Sequence, residues 1–144
     1  MRRQHGFTLL EILIALSVIS ILAVVAVPIY LDYQVRAEIT EGFVMAEPVK
    51  HMVTEYHATN GTWPGSNAAA ALEAPAYYKT DYVDTINVTG NAAGAVITIT
   101  FSIPALGANN TIILTPSTLA GNAITWSCVQ GSVAKKFRPA VCQS

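Results

Sequence analysis

A single carboxylate and a pair of cysteines are the side chains whose positions most suggest chemistry. Glu11 stands at the beginning of a long apolar run, and Cys128 and Cys142 lie near the C-terminus. A charged side chain at the edge of an apolar helix is costly unless it finds a partner or reaches the interface, so Glu11 is a candidate functional residue. The cysteines could form a disulfide, a redox pair or part of a metal site, but there is no C-x-x-C motif and no second ligand pair.

The only other cluster of potential metal ligands is Glu47, His51 and Glu55, spaced four residues apart. On a helix these residues share one face and could hold a cation, but a solvated face accounts for them without a further assumption and is the interpretation that we favour. The sequence contains no G-x-S-x-G, no glycine-rich phosphate loop, no H-E-x-x-H and no paired-cysteine zinc spacing. We therefore predict a protein that is not an enzyme and has no cofactor and no metal.

The net charge is −1, from 8 basic and 9 acidic residues, which argues against a basic nucleic-acid-binding surface. The basic residues Lys135, Lys136 and Arg138 cluster around Phe137, between the two cysteines. This basic and aromatic loop has two interpretations. It could recognise a receptor, or it could be a solvated loop that locks the chain end and packs against another subunit.

Residues 12–31 contain no formally charged side chain. At about 1.5 Å per residue, such a run is long enough to cross a bilayer as a helix, and it is longer than the apolar part of a secretory signal. Arg2 and Arg3 precede it and Asp32 follows it, so the positive-inside rule predicts a cytoplasmic N-terminus and an exported C-terminal part. An oxidising compartment then favours a Cys128–Cys142 disulfide, worth about 3 kcal/mol in the chain-entropy model.

Residues 7–59 are predicted to form one long helix. After Leu31 the helix becomes amphipathic, with one apolar stripe composed of Ile39, Phe43, Ala46, Val49, Val53 and Tyr56. Pro28 and Pro48 lie inside and favour a local bend. Asn60-Gly61 is expected to end the helix in a left-handed cap.

The remainder is predicted to be a connecting loop over 60–94 and an antiparallel sheet of three or four strands over 95–129, with a β-like composition that begins at about Ile86. The loop is expected to contain a short helix over 68–73, capped by Ser66 or Asn67. Turns are expected at 107–110 and at Gly121-Asn122. The predicted fold class is α+β: a long N-terminal α-helix packed on the sheet, followed by a disulfide loop over 128–142.

The segment Gly6-Phe7-Thr8-Leu9-Leu10-Glu11, followed by an apolar helix with Pro28, resembles the N-terminus of type IV pilins and pseudopilins. The resemblance implies a leader over 1–6 that a prepilin peptidase removes by cutting after Gly6. Phe7 would become the N-methylated terminus, and Glu11 would be the acid of the family pattern. Residues 7–31 would be the transmembrane and filament-core helix, and residues 32–144 the globular domain, with the amphipathic helix over 32–59.

The C-terminal end extends this resemblance. Trp126-Ser127-Cys128 and Pro139-Ala140-Val141-Cys142 are similar to the disulfide region of type IVa major pilins. In that family the disulfide loop is credited in some members with binding host glycans, which here would involve Lys135, Lys136, Phe137 and Arg138. A terminal serine can be O-glycosylated, which makes Ser144 a candidate.

The partners implied by the resemblance are other copies of the chain in a helical polymer, the prepilin peptidase, the inner-membrane assembly machinery and minor pilins. The subunit would be stored in the inner membrane and then appear in an extracellular fibre that supports adhesion, twitching motility and DNA uptake. We also expect Glu11 to pair with the Phe7 amine of a neighbouring subunit. Alternatives are a minor pilin, a type II secretion pseudopilin, or a membrane-anchored monomeric binding module that uses the loop 129–141.

Overall fold

The computed structural model describes residues 6–91, 94–118 and 123–143. Its first element is helix α1, Leu9–Asn60, which continues through both Pro28 and Pro48. The helix ends as predicted, because Gly61 adopts φ +70° and its N–H donates to the His57 carbonyl at 2.9 Å. The predicted turn at Gly121-Asn122 and the candidate Ser144 lie outside the described residues.

The chain divides into two compact units, one ending at Gln34 and one beginning at Val35. In the second unit α1 buries one stripe, and its buried residues are Val35, Ile39, Gly42, Ala46, Val49 and Val53. The predicted stripe thus forms the core face, while Phe43 and Tyr56 at its margin are only half-buried.

Four antiparallel strands form one sheet within the described residues, in the order β1-β2-β3-β4. The strands are β1 (Val83–Asn91), β2 (Gly94–Phe101), β3 (Thr111–Thr118) and β4 (Ile124–Gln130). In β2 buried and half-buried residues alternate, and Ala95, Ile97, Ile99 and Phe101 point into the core. Helix α1 packs on this sheet and the disulfide loop follows β4, which confirms the predicted fold class.

Strand β1 corrects the sequence prediction, because it lies within the range 60–94 that was assigned to a connecting loop. Its buried side chains are Val83, Ile86 and Val88, and Asn87 alternates with the last two, but a register shift between Val83 and Thr85 interrupts the alternation near the start of the strand. The strand forms because β2 pairs along its whole length. This pairing is not visible in the local sequence.

The short helix predicted over 68–73 is also wrong, since this segment is a series of turns. Ser66 does cap the first turn, where its hydroxyl accepts a hydrogen bond from the Ala69 N–H at 3.3 Å. Ala71 then adopts φ +54°, which ends any helical continuation. So short a helix is marginal without tertiary support.

Asn67 supplies the contacts that fix this loop against the sheet. Its side chain is 4% exposed, and its amide nitrogen donates to the carbonyls of Glu73 at 2.9 Å and Ile86 at 3.1 Å. Its carbonyl oxygen accepts from the Val88 N–H at 2.6 Å. Because Ser66 also bridges to Thr89, the loop satisfies backbone groups of β1 that the rest of the sheet leaves unpaired.

Gly42 is the point of closest approach between α1 and the sheet. A Cβ atom at this position would lie 2.5 Å from Cε1 of Phe101 and 3.1 Å from Cγ2 of Ile99. Phe101 is itself buried, with 1% exposure. Only a residue without a side chain allows this helix–sheet spacing.

Replacing Gly42 therefore tests the helix–sheet contact. We expect Gly42→Val to lower the free energy of unfolding by about 1–3 kcal/mol, because Phe101 must move within a packed core. Chemical denaturation of the purified chain in detergent would measure the change. Ala37→Val, at an exposed position of the same helix, should change stability by less than about 0.5 kcal/mol. Equal effects of the two substitutions would contradict the steric explanation.

Candidate functional site

The N-terminal candidate residues lie at an exposed helix start. Gly6, Phe7 and Thr8 precede the helix, and Phe7 is 81% exposed. The Thr8 hydroxyl accepts a hydrogen bond from the Glu11 N–H at 3.3 Å, and the Thr8 carbonyl accepts from the Ile12 N–H at 3.3 Å. Thr8 is therefore the N-cap of α1, and Glu11 occupies the third helical position.

The role of Thr8 was missed in the sequence analysis, although a signal for it was present. Thr8 and Glu11 have the S/T-x-x-E spacing of a capping box. Helix starts favour acidic side chains in the first turn, because the unpaired N–H groups carry partial positive charge. Glu11 is thus favourable at this helix start as well as being the acid closest to the predicted cleavage position.

Glu11 is exposed, and it forms no ion pair within residues 6–91, 94–118 and 123–143. Around it the surface is apolar. Seventeen large apolar side chains between Phe7 and Leu31 are exposed. This segment is long and apolar enough to cross a membrane by length and composition. A carboxylate surrounded by such a surface requires a partner once the surface is buried.

Two serines within the apolar segment do not interrupt its character. The Ser17 hydroxyl donates to the Leu13 carbonyl and the Ser20 hydroxyl donates to the Leu16 carbonyl, each at 2.8 Å. Because each hydroxyl proton is satisfied within the helix, these serines enter lipid or a helix bundle at little cost. The segment therefore offers an apolar surface on all sides.

The C-terminal candidates form a closed loop. Cys128 and Cys142 are joined by a disulfide, as predicted, with 4.9 Å between their Cα atoms. Lys135 and Lys136 are exposed, and the Lys136 Nζ lies 4.4 Å from the centre of the Phe137 ring. Phe137 itself is half-buried against the core.

Arg138 does not belong to the exposed basic surface of this loop. It is 5% exposed, and its guanidinium donates to backbone carbonyls of the same loop. The predicted receptor cluster of Lys135, Lys136, Phe137 and Arg138 is therefore divided by the structure. Lys135 and Lys136 face solvent, whereas Arg138 lies inside. Sequence spacing does not distinguish these two environments.

The helix-face cluster of Glu47, His51 and Glu55 is engaged in ordinary surface contacts. Glu47 pairs with Lys50 at 2.6 Å, and His51 Nδ1 lies 3.9 Å from a carboxylate oxygen of Glu55. Among the described residues there is no group of three or more potential metal ligands. A solvated helix face is thus the interpretation that the contacts favour.

Of the tyrosines in the connecting loop, Tyr78 packs on the core and meets Tyr77. The rings of Tyr77 and Tyr78 meet edge to face with 5.8 Å between centres. Tyr78 contacts the core, whereas Tyr77 is 71% exposed. Burial raises the pKa of the Tyr78 hydroxyl, and the nearby charge of Glu73 adds to this effect. The hydroxyl therefore remains neutral at physiological pH.

A helix-on-sheet domain preceded by an uncovered apolar helix defines a class of protein. The class comprises chains whose N-terminal helix must be covered by lipid or by other subunits, because its apolar surface is exposed. Comparison with known families agrees. Residues 35–143 match the family described as Pilin (bacterial filament), and residues 1–27 match the prokaryotic N-terminal methylation motif.

The names of similar proteins agree with these two family matches. The chain is 34% identical over 143 residues to the fimbrial protein EcpC of Eikenella corrodens, covering 98% of this chain and 92% of that protein. It is 40% identical over 92 residues to a fimbrial protein of Neisseria meningitidis serogroup B, covering 64% of this chain and 54% of that protein. It is 38% identical over 94 residues to the type IV major pilin protein PilE of Neisseria gonorrhoeae, covering 65% and 56% respectively.

The chain therefore belongs to the pilin family, and it is a type IV pilin or fimbrial subunit. The resemblance noted in the sequence is confirmed. Pilins are structural proteins, and the matched N-terminal motif is that of chains methylated at the N-terminus. The described geometry adds two features to this assignment: Thr8 caps the helix beside Glu11, and Arg138 is buried inside the disulfide loop.

The N-cap can be tested by substituting Thr8. We expect Thr8→Val to weaken the first helical turn by about 0.5–2 kcal/mol, because the Glu11 N–H loses its acceptor. Faster hydrogen exchange of that amide in detergent micelles would measure the effect. Thr8→Ser keeps the hydroxyl and should exchange like the unsubstituted chain. Equal protection in Thr8→Val would show that the cap does not hold this turn.

Proposed function

We propose that this chain is the major subunit of a type IV pilus. The subunit is stored in the inner membrane with a cytoplasmic N-terminus and an exported C-terminal domain. A prepilin peptidase cuts after Gly6, and Phe7 becomes the methylated terminus. The observation that carries this proposal is the apolar surface of residues 7–31, which is exposed on all sides and contains one acid, Glu11.

Extraction of such a subunit from lipid requires a new cover for its apolar surface. Each large apolar side chain moved out of contact with water contributes about 1.5–3 kcal/mol. Seventeen such side chains between Phe7 and Leu31 are exposed. Burial of these helices against copies of themselves gives a helical filament with the apolar segments as its core. The assembly machinery of the inner membrane and the minor pilins are the further partners of this process.

Glu11 then enters an apolar bundle, where an unpaired carboxylate is unfavourable. We place its partner on another subunit, as the amine that cleavage creates at Phe7. The exposure of both residues, and the lack of an ion pair to Glu11 within the described chain, support this role. A pair of this kind sets the axial register between neighbouring subunits.

The fibre is proposed to support adhesion, twitching motility and DNA uptake. A glycan receptor site at the disulfide loop would use the exposed Lys135 and Lys136, and Phe137 beside them. Because Arg138 is buried, it is left out of that site. O-glycosylation of Ser144 remains a prediction from the resemblance alone.

The test uses Glu11→Gln in a cell that has pilus machinery and lacks its own major pilin. We expect normal processing and a normal membrane pool, with at least a tenfold smaller fraction of subunit sheared from the surface, since loss of one buried charge partner costs about 3–5 kcal/mol. Immunoblots of the sheared and membrane fractions would measure this ratio.

The matched control is Glu55→Gln, an exposed acid on the second half of the same helix, which should assemble normally. Fibres of normal number and length from Glu11→Gln would refute the pairing role. A processed unsubstituted chain that stays in the membrane would instead favour a minor pilin or a pseudopilin. An uncut chain would favour the anchored monomeric module.

A further inference from the structure

The guanidinium of Arg138 lies under the C-terminal loop and binds three of its backbone carbonyls. Nε donates to the Val133 carbonyl at 2.8 Å and an Nη donates to the Gly131 carbonyl at 2.8 Å. The other Nη donates to the Val129 carbonyl. The side chain is 5% exposed. A buried charge held by three carbonyls fixes the segment 129–133 at alternate residues.

The segment that Arg138 binds is already attached to the sheet. The Val133 N–H donates to the Thr111 carbonyl at 3.1 Å, and the Thr111 N–H donates to the Ser132 hydroxyl at 3.0 Å. The Ser132 N–H in turn donates to the Thr111 hydroxyl at 3.2 Å. The first half of the loop is thus ordered by contacts that do not involve either cysteine.

The second half of the loop carries Arg138 and Cys142. Two short 3₁₀ turns form it, Lys135–Phe137 and Ala140–Cys142, and Arg138 lies between them. The Arg138 carbonyl accepts a hydrogen bond from the Gln143 side chain at 2.8 Å. Through its side chain and its carbonyl, Arg138 therefore connects the first half of the loop to the residues that flank Cys142.

We infer that Arg138 holds this loop folded while the cysteines are still reduced, and so positions the thiol of Cys142 beside that of Cys128. The loop then closes its disulfide from a preorganised state, and the entropy of bringing the two ends together is lost before oxidation begins. Arg138 is a positioning residue in this account and takes no part in the chemistry.

The chemistry is ordinary thiol–disulfide exchange with a disulfide oxidant. One cysteine thiolate attacks the oxidant and forms a mixed disulfide, releasing one thiol of the oxidant. The second cysteine thiolate then attacks the protein sulfur of the mixed disulfide and releases the other thiol. The two protein thiols lose two electrons to the oxidant, and their two protons end on the oxidant's thiols.

The competing reaction is attack by a thiol of another copy of the chain, which gives disulfide-linked dimers. Subunits held by an apolar helix in one membrane are concentrated, and this raises the rate of the competing reaction between chains. A preorganised loop raises the effective concentration of the second thiol within the same chain. Arg138 therefore favours disulfide closure within one chain over cross-linking between chains, whether or not the chain assembles into a filament.

The test measures the effective concentration of the second thiol in the full-length chain. The reduced protein in detergent micelles is equilibrated with reduced and oxidised glutathione, quenched by alkylation, and analysed by mass spectrometry. We expect Arg138→Met to lower the effective concentration at least about tenfold, because three charge-assisted hydrogen bonds are lost, and to yield linked dimers. Arg138→Lys should give an effective concentration between those of the unsubstituted chain and Arg138→Met, because its side chain cannot bind all three carbonyls at once.

Lys135→Met is the matched control, because it removes a positive charge from the exposed part of the same loop. It should close its disulfide as the unsubstituted chain does. Equal effective concentrations for Arg138→Met and Lys135→Met would overturn the inference. Hydrogen exchange of the sheet amides in the same samples separates an effect on the loop from a loss of the fold.

A second variant keeps the test decisive if Arg138→Met does not fold. In C128A/C142A the disulfide is absent and Arg138 remains, and we expect the amide of Val133 and that of position 142 to stay protected from exchange. Adding Arg138→Lys should reduce protection at position 142 at least about tenfold. Loss of loop protection in C128A/C142A itself would show that the disulfide, and not Arg138, holds the loop.

Discussion

The rest of this protein depends on one constraint, the large apolar surface of its N-terminal helix, which is exposed in the described chain. Between Phe7 and Leu31 the helix exposes large side chains on every side. The associated free energy in water is on the order of tens of kcal/mol, whereas whole domains are stable by about 5–15 kcal/mol. The segment must therefore reside in lipid or against other apolar helices, and the proposed assembly moves it from the first environment to the second.

The second unit has the opposite problem, because it must fold without help from that segment. It does so by packing the buried stripe of α1 on the inner face of the sheet, with Gly42 allowing close approach to Phe101. Two buried polar side chains then hold the loops that lie next to the two edge strands, β1 and β4. Asn67 satisfies backbone groups of β1, and Arg138 satisfies carbonyls that follow β4. Each fixes a loop whose apolar side chains also pack on the core, Leu72 and Tyr78 in one and Val133 and Phe137 in the other.

Features carried by local pattern were predictable from the sequence. The apolar run, the stripe of α1, the β-branched strand β2 and the cysteine pair each have a period or a composition that implies their structure. The start of strand β1 depends on its pairing with β2, and the contacts of Asn67 and Arg138 reach partners 5 to 21 residues away, which no local pattern encodes. The residue type of Glu11 predicted a site, but the proposed partner of Glu11 belongs to another molecule.

The most direct test of the central claim is intact mass spectrometry of material sheared from the cell surface. We expect one dominant species that begins at methylated Phe7 and has Cys128 and Cys142 oxidised. Its presence in the sheared fraction would show that the apolar helix has left the membrane within a fibre. A surface species that still begins at Met1, or a processed species confined to the membrane fraction, would contradict the proposal of a major pilin.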